Sequence, residues 1–305
     1  MKDFNNLLEL LTYFKDDTVC REYLEAIRWA DGIVCPHCGS ERFYKLKSGV
    51  QYKCASNVCY KKFTVTVGTI FDSAKIPLRK WFVAMYLVTS HKKGISSYQL
   101  SRDIGVTQKS AWFMLHRLRE LSESGSMEKL KGQVEVDECY IGGQEKNKHK
   151  QNKSNKAGPR GIKTPVLAIV ERGGAARVLT LQNVKSKSIV NPVYELVEEG
   201  TTVITDQFNA YYMLKGGFKH ETVNHSKDEF VRGDIHTNTV EGFFSILKRG
   251  IYGIYHQVSP KHLQRYCNEF AFRYSTRDMD EGERFNEALG NMNKVLRYNK
   301  LINRK

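Results

Sequence analysis

Apolar positions change period several times along the chain, and each change marks an element. Phe4, Leu7, Leu8 and Leu11 recur at helical spacing behind Asp3, a capping residue type. Tyr23, Leu24, Ile27 and Trp29 repeat the pattern over 18–30. These two helices are packing elements, and Cys20 is a small buried hydrophobe among them. Residues 42–52 are strand-forming. A helical period returns from Pro77, which suits a first turn, and puts Trp81, Met85 and Val88 on one face. Two shorter helices follow over 97–104 and 107–119. Gly105 permits the left-handed turn between them, Thr107 caps the second, and Ala111, Leu115 and Leu118 face inward. Residues 120–131 are polar and read as a linker.

From Val134 the pattern becomes that of a sheet. Val134 and Val136 fall on one strand face and Asp137 on the other. Residues 144–163 carry no apolar period and read as a loop. Apolar runs at 164–171 and 176–182 flank Arg172, Gly173 and Gly174, a hairpin signal. A helix is expected over 186–199, then a buried strand at 202–205 with Asp206 at its carboxyl end, the edge where open α/β sheets bind ligands. Helical turns at 209–214 and a strand at 219–224 come next. The helix expected over 236–250 has an apolar stripe of Val240, Phe243, Phe244 and Leu247, with Asn238, Glu241, Ser245 and Lys248 opposite. Helices over 259–273 and 281–299 follow. The expected domains are N-terminal helices (1–30), a cysteine-bearing ribbon (31–71), a helix-turn-helix (72–125), an α/β domain (130–285) and a basic C-terminal helix or tail (286–305).

Charge adds a partner to this picture. The 305 residues hold 48 Lys and Arg against 33 Asp and Glu, a net +15. A chain this basic points to a polyanion, with nucleic acid first and an anionic membrane surface second. No run of about 18 apolar residues exists to span a bilayer. The N-terminus carries acids and lacks a basic leader region, so it does not read as a signal peptide. Seven cysteines, an odd number, argue against a disulfide framework.

Four of those cysteines form two close pairs, Cys35 with Cys38 and Cys54 with Cys59. Two such knuckles joined by a strand-forming segment suit one tetrahedral Zn²⁺ with Zn–S distances of about 2.3 Å. Four thiolates leave no open position, so the zinc is structural, and its binding is expected to drive folding of the ribbon. His37 lies between ligands as a bystander. A redox CxxC needs a βαβ context that is absent.

In the helical pair, Gln108, Lys109 and Ser110 occupy the N-terminal turn, where a recognition helix reaches base edges, and Arg117 and Arg119 are placed to meet phosphate. The plainer reading is a helical hairpin with a charged face. Lys146, Lys148, Lys150 and Lys153, in the basic 144–163 segment, read as a clamp on the phosphate backbone or as a solvated loop.

Asp137 alone reads as well as an ion-pair partner as a metal ligand. Three strands, a helix, a strand bearing Asp206 and a later helix bearing Glu241 are, however, the element order of a ribonuclease-H-like core. Asp137, Asp206 and Glu241 then converge at one sheet edge. Carboxylates so close need cations, and two Mg²⁺ or Mn²⁺ ions about 3.5–4 Å apart would serve. Asn238 and Glu241 also have the spacing of a capping box. Asn238, whose amide oxygen is a competent ligand, is the alternative third group, and Lys248 is placed to steady phosphate.

The motifs CPHC with its later cysteines, GTIF before a Trp-containing helix, VEVDECYIGG, VITDQFNAY, HTNTVEGFFSILKRGIYGIYHQVSP and YCNEFAFR resemble, over about residues 20–280, the DDE-superfamily transposases of bacterial and archaeal insertion sequences that carry an N-terminal zinc ribbon and an ISXO2-like transposase domain. The resemblance implies cleavage of double-stranded DNA at terminal inverted repeats and joining of 3′-hydroxyls to target DNA. It implies catalysis by Asp137, Asp206 and Glu241, with Asn238 the group some relatives use instead. A homo-oligomer on DNA, in the cytoplasm and associated with the nucleoid, goes with that reading. In one departure, Ser275 stands where the family more often has Asn. The competing readings are a ribonuclease-H-like nuclease or resolvase that does not join ends, and a non-enzymatic DNA-binding regulator.

Overall fold

The computed structural model describes residues 4–122, 128–143, 163–224, 229 and 231–302. The chain forms two units, one made of Met1–Ser124 with Met279–Lys305 and the other of Gly125–Asp278. No helix among the described residues is long and apolar enough to cross a membrane.

The first unit opens with α1 (Leu7–Tyr13) and α2 (Asp17–Arg28). Asn6 caps α1, accepting from the Glu9 N–H, and Asp16 caps α2 through the N–H groups of Thr18 and Val19. Asp3, expected to cap α1, lies outside the described residues. Three short antiparallel strands, β1 (Phe43–Lys45), β2 (Tyr52–Cys54) and β3 (Lys62–Phe63), make the ribbon. The helices α3 (Leu78–Ser90), α4 (Ser97–Ile104) and α5 (Gln108–Leu121) follow. Gly105 ends α4 in the left-handed region, with φ 60°, and Thr107 caps α5 by accepting from the Ser110 N–H. Those two boundaries match the sequence reading because Gly and Thr act locally.

The second unit is a five-stranded sheet ordered β6-β5-β4-β7-β8. Its strands are β4 (Gln133–Ile141), β5 (Thr164–Glu171), β6 (Ala176–Thr180), β7 (Thr202–Asp206) and β8 (Lys219–Val223). The pairs β4–β5 and β5–β6 are antiparallel, whereas β4–β7 and β7–β8 are parallel. Helix α6 (Ser186–Leu196) makes the crossover from β6 to β7. A 3-10 helix, Asn209–Gly216, joins β7 to β8.

Both sheet faces are covered, as the alternation along β4 requires. Val134, Val136, Leu167 and Ile169 pack on Ile189 and Val193 of α6 and on Tyr211 and Leu214 of the 3-10 helix. Cys139, Ile141, Val166 and Ala168 face Val240, Phe243 and Leu247 of α7 (Asn238–Gly253) and Leu263 and Phe270 of α8 (Pro260–Ser275). A two-stranded hairpin, β9 (Val231–Arg232) and β10 (Ile235–His236), leads into α7 (Asn238–Gly253), and α8 (Pro260–Ser275) follows. Ser275, at the end of α8, accepts from the Ala176 N–H at 3.0 Å.

The boundary expected after residue 285 falls instead after Asp278. Helix α9 (Glu281–Gly290) belongs to the first unit, where the Phe285 ring lies 5.1 Å from that of Phe4 and 5.6 Å from that of Phe82. Gly282 permits the approach, since a Cβ there would stand 2.8 Å from the Phe4 carbonyl oxygen. The single helix expected over 281–299 is two, with α10 spanning Tyr298–Ile302. Gly290 ends α9, and the Asn291 N–H caps it on the carbonyls of Ala288 and Leu289.

Candidate metal and nucleic-acid sites

Two places in the fold gather metal-binding side chains. In the ribbon, Cys35 Sγ lies 3.8 Å from Cys59 Sγ, and Cys38 Sγ lies 3.6 Å from Cys54 Sγ. A ZnS₄ tetrahedron with bonds of about 2.3 Å has S···S edges of about 3.8 Å. The sulfurs therefore fit the ion before any rearrangement. The Ser56 N–H donates to Cys54 Sγ at 3.4 Å, and this bond heads the causes that hold the Cys54 thiol below its ordinary pKa. A lowered thiol is the form a metal needs. Among the described residues, this is the one group of three or more His, Cys, Asp or Glu ligand atoms that all lie within 4.8 Å of one another.

The second place lies across the middle of β4 and the carboxyl end of β7. Asp137 pairs across β4–β5 with Ala168, and Asp206 closes β7. Both are half-buried, and both are held by their own backbone. The Glu138 N–H donates to Asp137 Oδ1 at 2.8 Å, and the Phe208 N–H donates to Asp206 Oδ1 at 3.0 Å. Glu241, exposed on the first turn of α7, accepts from Thr237 Oγ1 at 2.9 Å. Burial, and then the charges of Glu138, Asp206 and Glu241, push the Asp137 carboxyl up to about 7. That coupling brings Asp137, Asp206 and Glu241 into one electrostatic cluster. Their oxygens are spread more widely than the cysteine sulfurs.

Asn238 is exposed and is the first residue of α7, not its cap. The capping box that its spacing with Glu241 suggests does not form, because the cap position belongs to Thr237. Lys248 is exposed on the same helix, and its charge is felt by Cys139, two residues beyond Asp137. Glu138 receives the Tyr211 hydroxyl at 2.6 Å.

Glu135 is a residue that the sequence pattern did not single out. It is fully buried and accepts from Arg172 Nε at 2.6 Å. Its carboxylate also receives the backbone N–H groups of Thr239 and Val240, at 2.7 and 2.9 Å. The only local signal is an acid two residues before Asp137, and its partners are remote in sequence.

The residues expected to touch DNA divide. Lys109 is exposed, with Nζ 5.4 Å from the centre of the Tyr298 ring. Gln108 donates to Ser97 Oγ at 2.9 Å, and the Ser110 hydroxyl receives that of Thr107 at 2.9 Å. Arg117 does not face outward as expected. It is buried, donating to the carbonyls of Leu296, Ile70 and Asp72. Three carbonyl oxygens brought by loops far along the chain are a better environment for that guanidinium than an open helix face. Arg119 is buried too. Lys146, Lys148, Lys150 and Lys153 lie outside the described residues.

Residues 129–275 match the model of the ISXO2-like transposase domain, and residues 15–62 match that of the transposase zinc-ribbon domain. Over 265 residues the chain is 31% identical to the uncharacterized protein in transposable element ISH50 of Halobacterium salinarum, covering 82% of this chain and 88% of that protein. Among solved structures, the Mos1 strand transfer complex aligns over 71% of this chain and 79% of that one, with 12% identity and a TM-score of 0.29. The pre-cleavage Mos1 transpososome aligns over 66% and 75%, with 14% identity and a TM-score of 0.26. Likenesses at those scores are slight.

Proposed function

The chain belongs to the insertion-sequence transposases that pair a zinc ribbon with an ISXO2-like transposase domain, and on that premise we propose that it cuts DNA at the ends of its element and joins the freed 3′-hydroxyls to a target. The observation that carries this reading is the register of the sheet: β4 and β7 are neighbouring parallel strands with Glu135 opposite Ile204, so Asp137 and Asp206 lie level, and the charges of Asp206 and Glu241 reach Asp137. The strand order supports a ribonuclease-H-like core, and in that core we read these acids as the groups that serve phosphoryl transfer.

Asp137, Asp206 and Glu241 would hold Mg²⁺ or Mn²⁺, whose carboxylate-friendly hardness suits them. When bound, these ions supply Lewis-acid stabilisation of the oxygens that attack and leave phosphorus. The protein contributes geometry. Backbone N–H groups fix the carboxylates of Asp137 and Asp206, the Thr237 hydroxyl fixes Glu241, and Lys248 offers a cation to a DNA phosphate beside them. We favour Glu241 over Asn238 as the third group because a carboxylate is the better ligand for a hard divalent cation.

The four cysteines would hold structural Zn²⁺. The α4–α5 pair, through Lys109 and the exposed start of α5, and the basic 144–163 segment would bind double-stranded DNA as a helix-turn-helix and a backbone clamp.

The test is a cleavage and strand-transfer assay on a duplex carrying one element end, with added Mg²⁺ or Mn²⁺. Wild type should give joined product, and Asp137→Asn, Asp206→Asn and Glu241→Gln should bind the duplex without cutting it. Cleavage with no joined product would make the protein a nuclease or resolvase. Binding with no metal-dependent cleavage would make it a regulator. A folded, dead Asn238→Ala beside an active Glu241→Gln would transfer the third role to Asn238.

A further inference from the structure

A helix that carries a metal ligand must be fixed to the sheet that carries the others, and α7 is fixed from outside itself. Its N-cap residue, Thr237, makes no side-chain cap bond. The N–H groups of the second and third helical residues, Thr239 and Val240, point instead at Glu135 Oε2 on β4, at 2.7 and 2.9 Å. Those are the donors that an N-cap side chain ordinarily satisfies. The Thr239 hydroxyl adds a bond to Glu135 Oε1 at 2.8 Å. A fully buried carboxylate at a helix N-terminus is also favoured by the helix dipole.

Arg172 completes the fixture. Its Nε donates to Glu135 Oε1 at 2.6 Å, and Nη1 donates to Gln133 Oε1 at 2.8 Å and to the Asp234 carbonyl at 2.7 Å. Nη2 lies 2.9 Å from His236 Nδ1 and donates to the His236 carbonyl at 2.9 Å. All of these donors act on β4 or on the β9–β10 hairpin that feeds α7. With Glu135 as the cap, the Thr237 hydroxyl is turned to donate to the Glu241 carboxylate.

We propose that Glu135 and Arg172 are positioning residues that cap α7 from the sheet and so set Glu241 against Asp137 and Asp206. Glu135 is not itself a metal ligand, since both of its oxygens are engaged by protein donors. The proposal rests on the reading of Glu241 as the third acid.

The test uses the full chain as Glu135→Gln and Arg172→Lys, with two readouts. The first is amide hydrogen exchange of the peptide holding Thr239 and Val240 in protein free of added Mg²⁺ or Mn²⁺, which needs no activity. A lost cap should speed exchange there about tenfold or more, with exchange in β5 and β6 unchanged. The second is cleavage as a function of Mn²⁺ concentration, where the half-saturating concentration should rise several-fold while DNA affinity holds. Arg172→Lys, which keeps the charge beside Glu135 but not the fork, should show both effects more weakly, and it decides the matter if Glu135→Gln does not fold. Wild-type protection at Thr239 and Val240 would overturn the proposal. So would faster exchange with an unmoved Mn²⁺ dependence, because Glu135 would then be a structural cap alone. A wild-type protein that never cleaves would sink the transposase reading, and the exchange readout would still judge the cap.

Discussion

Asp137 is under tension in the protein free of divalent cations. An unfolded aspartate titrates near 3.9, but burial and neighbouring acids push Asp137 up to about 7. The folded state thus holds this proton more tightly than the unfolded one. Its contribution to stability is present in full below about pH 4 and is lost as pH rises through about 7. A divalent cation held there, as proposed, would take the proton's place and relieve that loss. In magnesium-free buffer, Asp137→Asn should therefore melt higher than wild type, by a margin that grows from about pH 4 to about pH 7, levels off above that and shrinks when Mg²⁺ is added. A margin independent of pH would mean that Asp137 is not desolvated as described. The alternation along β4 made Asp137 legible, because an acid opposite Val134 and Val136 needs a reason. Glu135 lies on the same face and was not legible. Its reason is Arg172 and the start of α7, which only the folded chain brings near.

Elements differ in how far their own residues determine them. The cysteine spacing specified the ribbon, and Gly105 and Thr107 specified the α4–α5 turn, because those chemistries are local. Purified protein should contain one zinc per chain, and stripping it should abolish the ribbon's cooperative melting while β4–β8 stay protected from exchange. Full retention of ribbon structure without metal, measured by exchange over 35–63, would refute a structural zinc. What no local pattern supplied was the orientation of Arg117. Its carbonyl partners come from residues 70–72 and 296, so helical periodicity alone left it at the surface. Arg117→Ala should consequently cost stability, about 1–3 kcal/mol for the carbonyls it leaves unsatisfied, and the salt slope of DNA binding should not change. A reduced slope with unaltered melting would return Arg117 to the DNA-facing set. Lys109→Ala should behave the opposite way, lowering the slope with little effect on melting.

At the scale of the molecule, a net charge of +15 means that DNA affinity should fall steeply with salt. Replacing Lys146, Lys148, Lys150 and Lys153 by Ala should flatten the log–log slope by about 0.9 for each phosphate that is no longer neutralised. An unchanged slope would leave that segment a solvated linker. Among the described residues most of the order of elements was readable, the β9–β10 hairpin and the break between α9 and α10 excepted, but their grouping was not. The sequence reading kept residues up to 285 with the α/β domain, yet Phe285 belongs with Phe4, Phe14 and Phe82.

That return of the chain has a consequence for synthesis. The first unit is interrupted after Ser124 and resumes at Met279. A ribosome adding about 5–20 residues per second spends roughly ten to thirty seconds on the inserted stretch before Phe285 emerges. Throughout that interval the aromatic surface around Phe4, Phe14 and Phe82 lacks its last ring, while the inserted sheet is completed before it. The second unit is thus free to fold first, and the first unit closes only once Phe285 has been made.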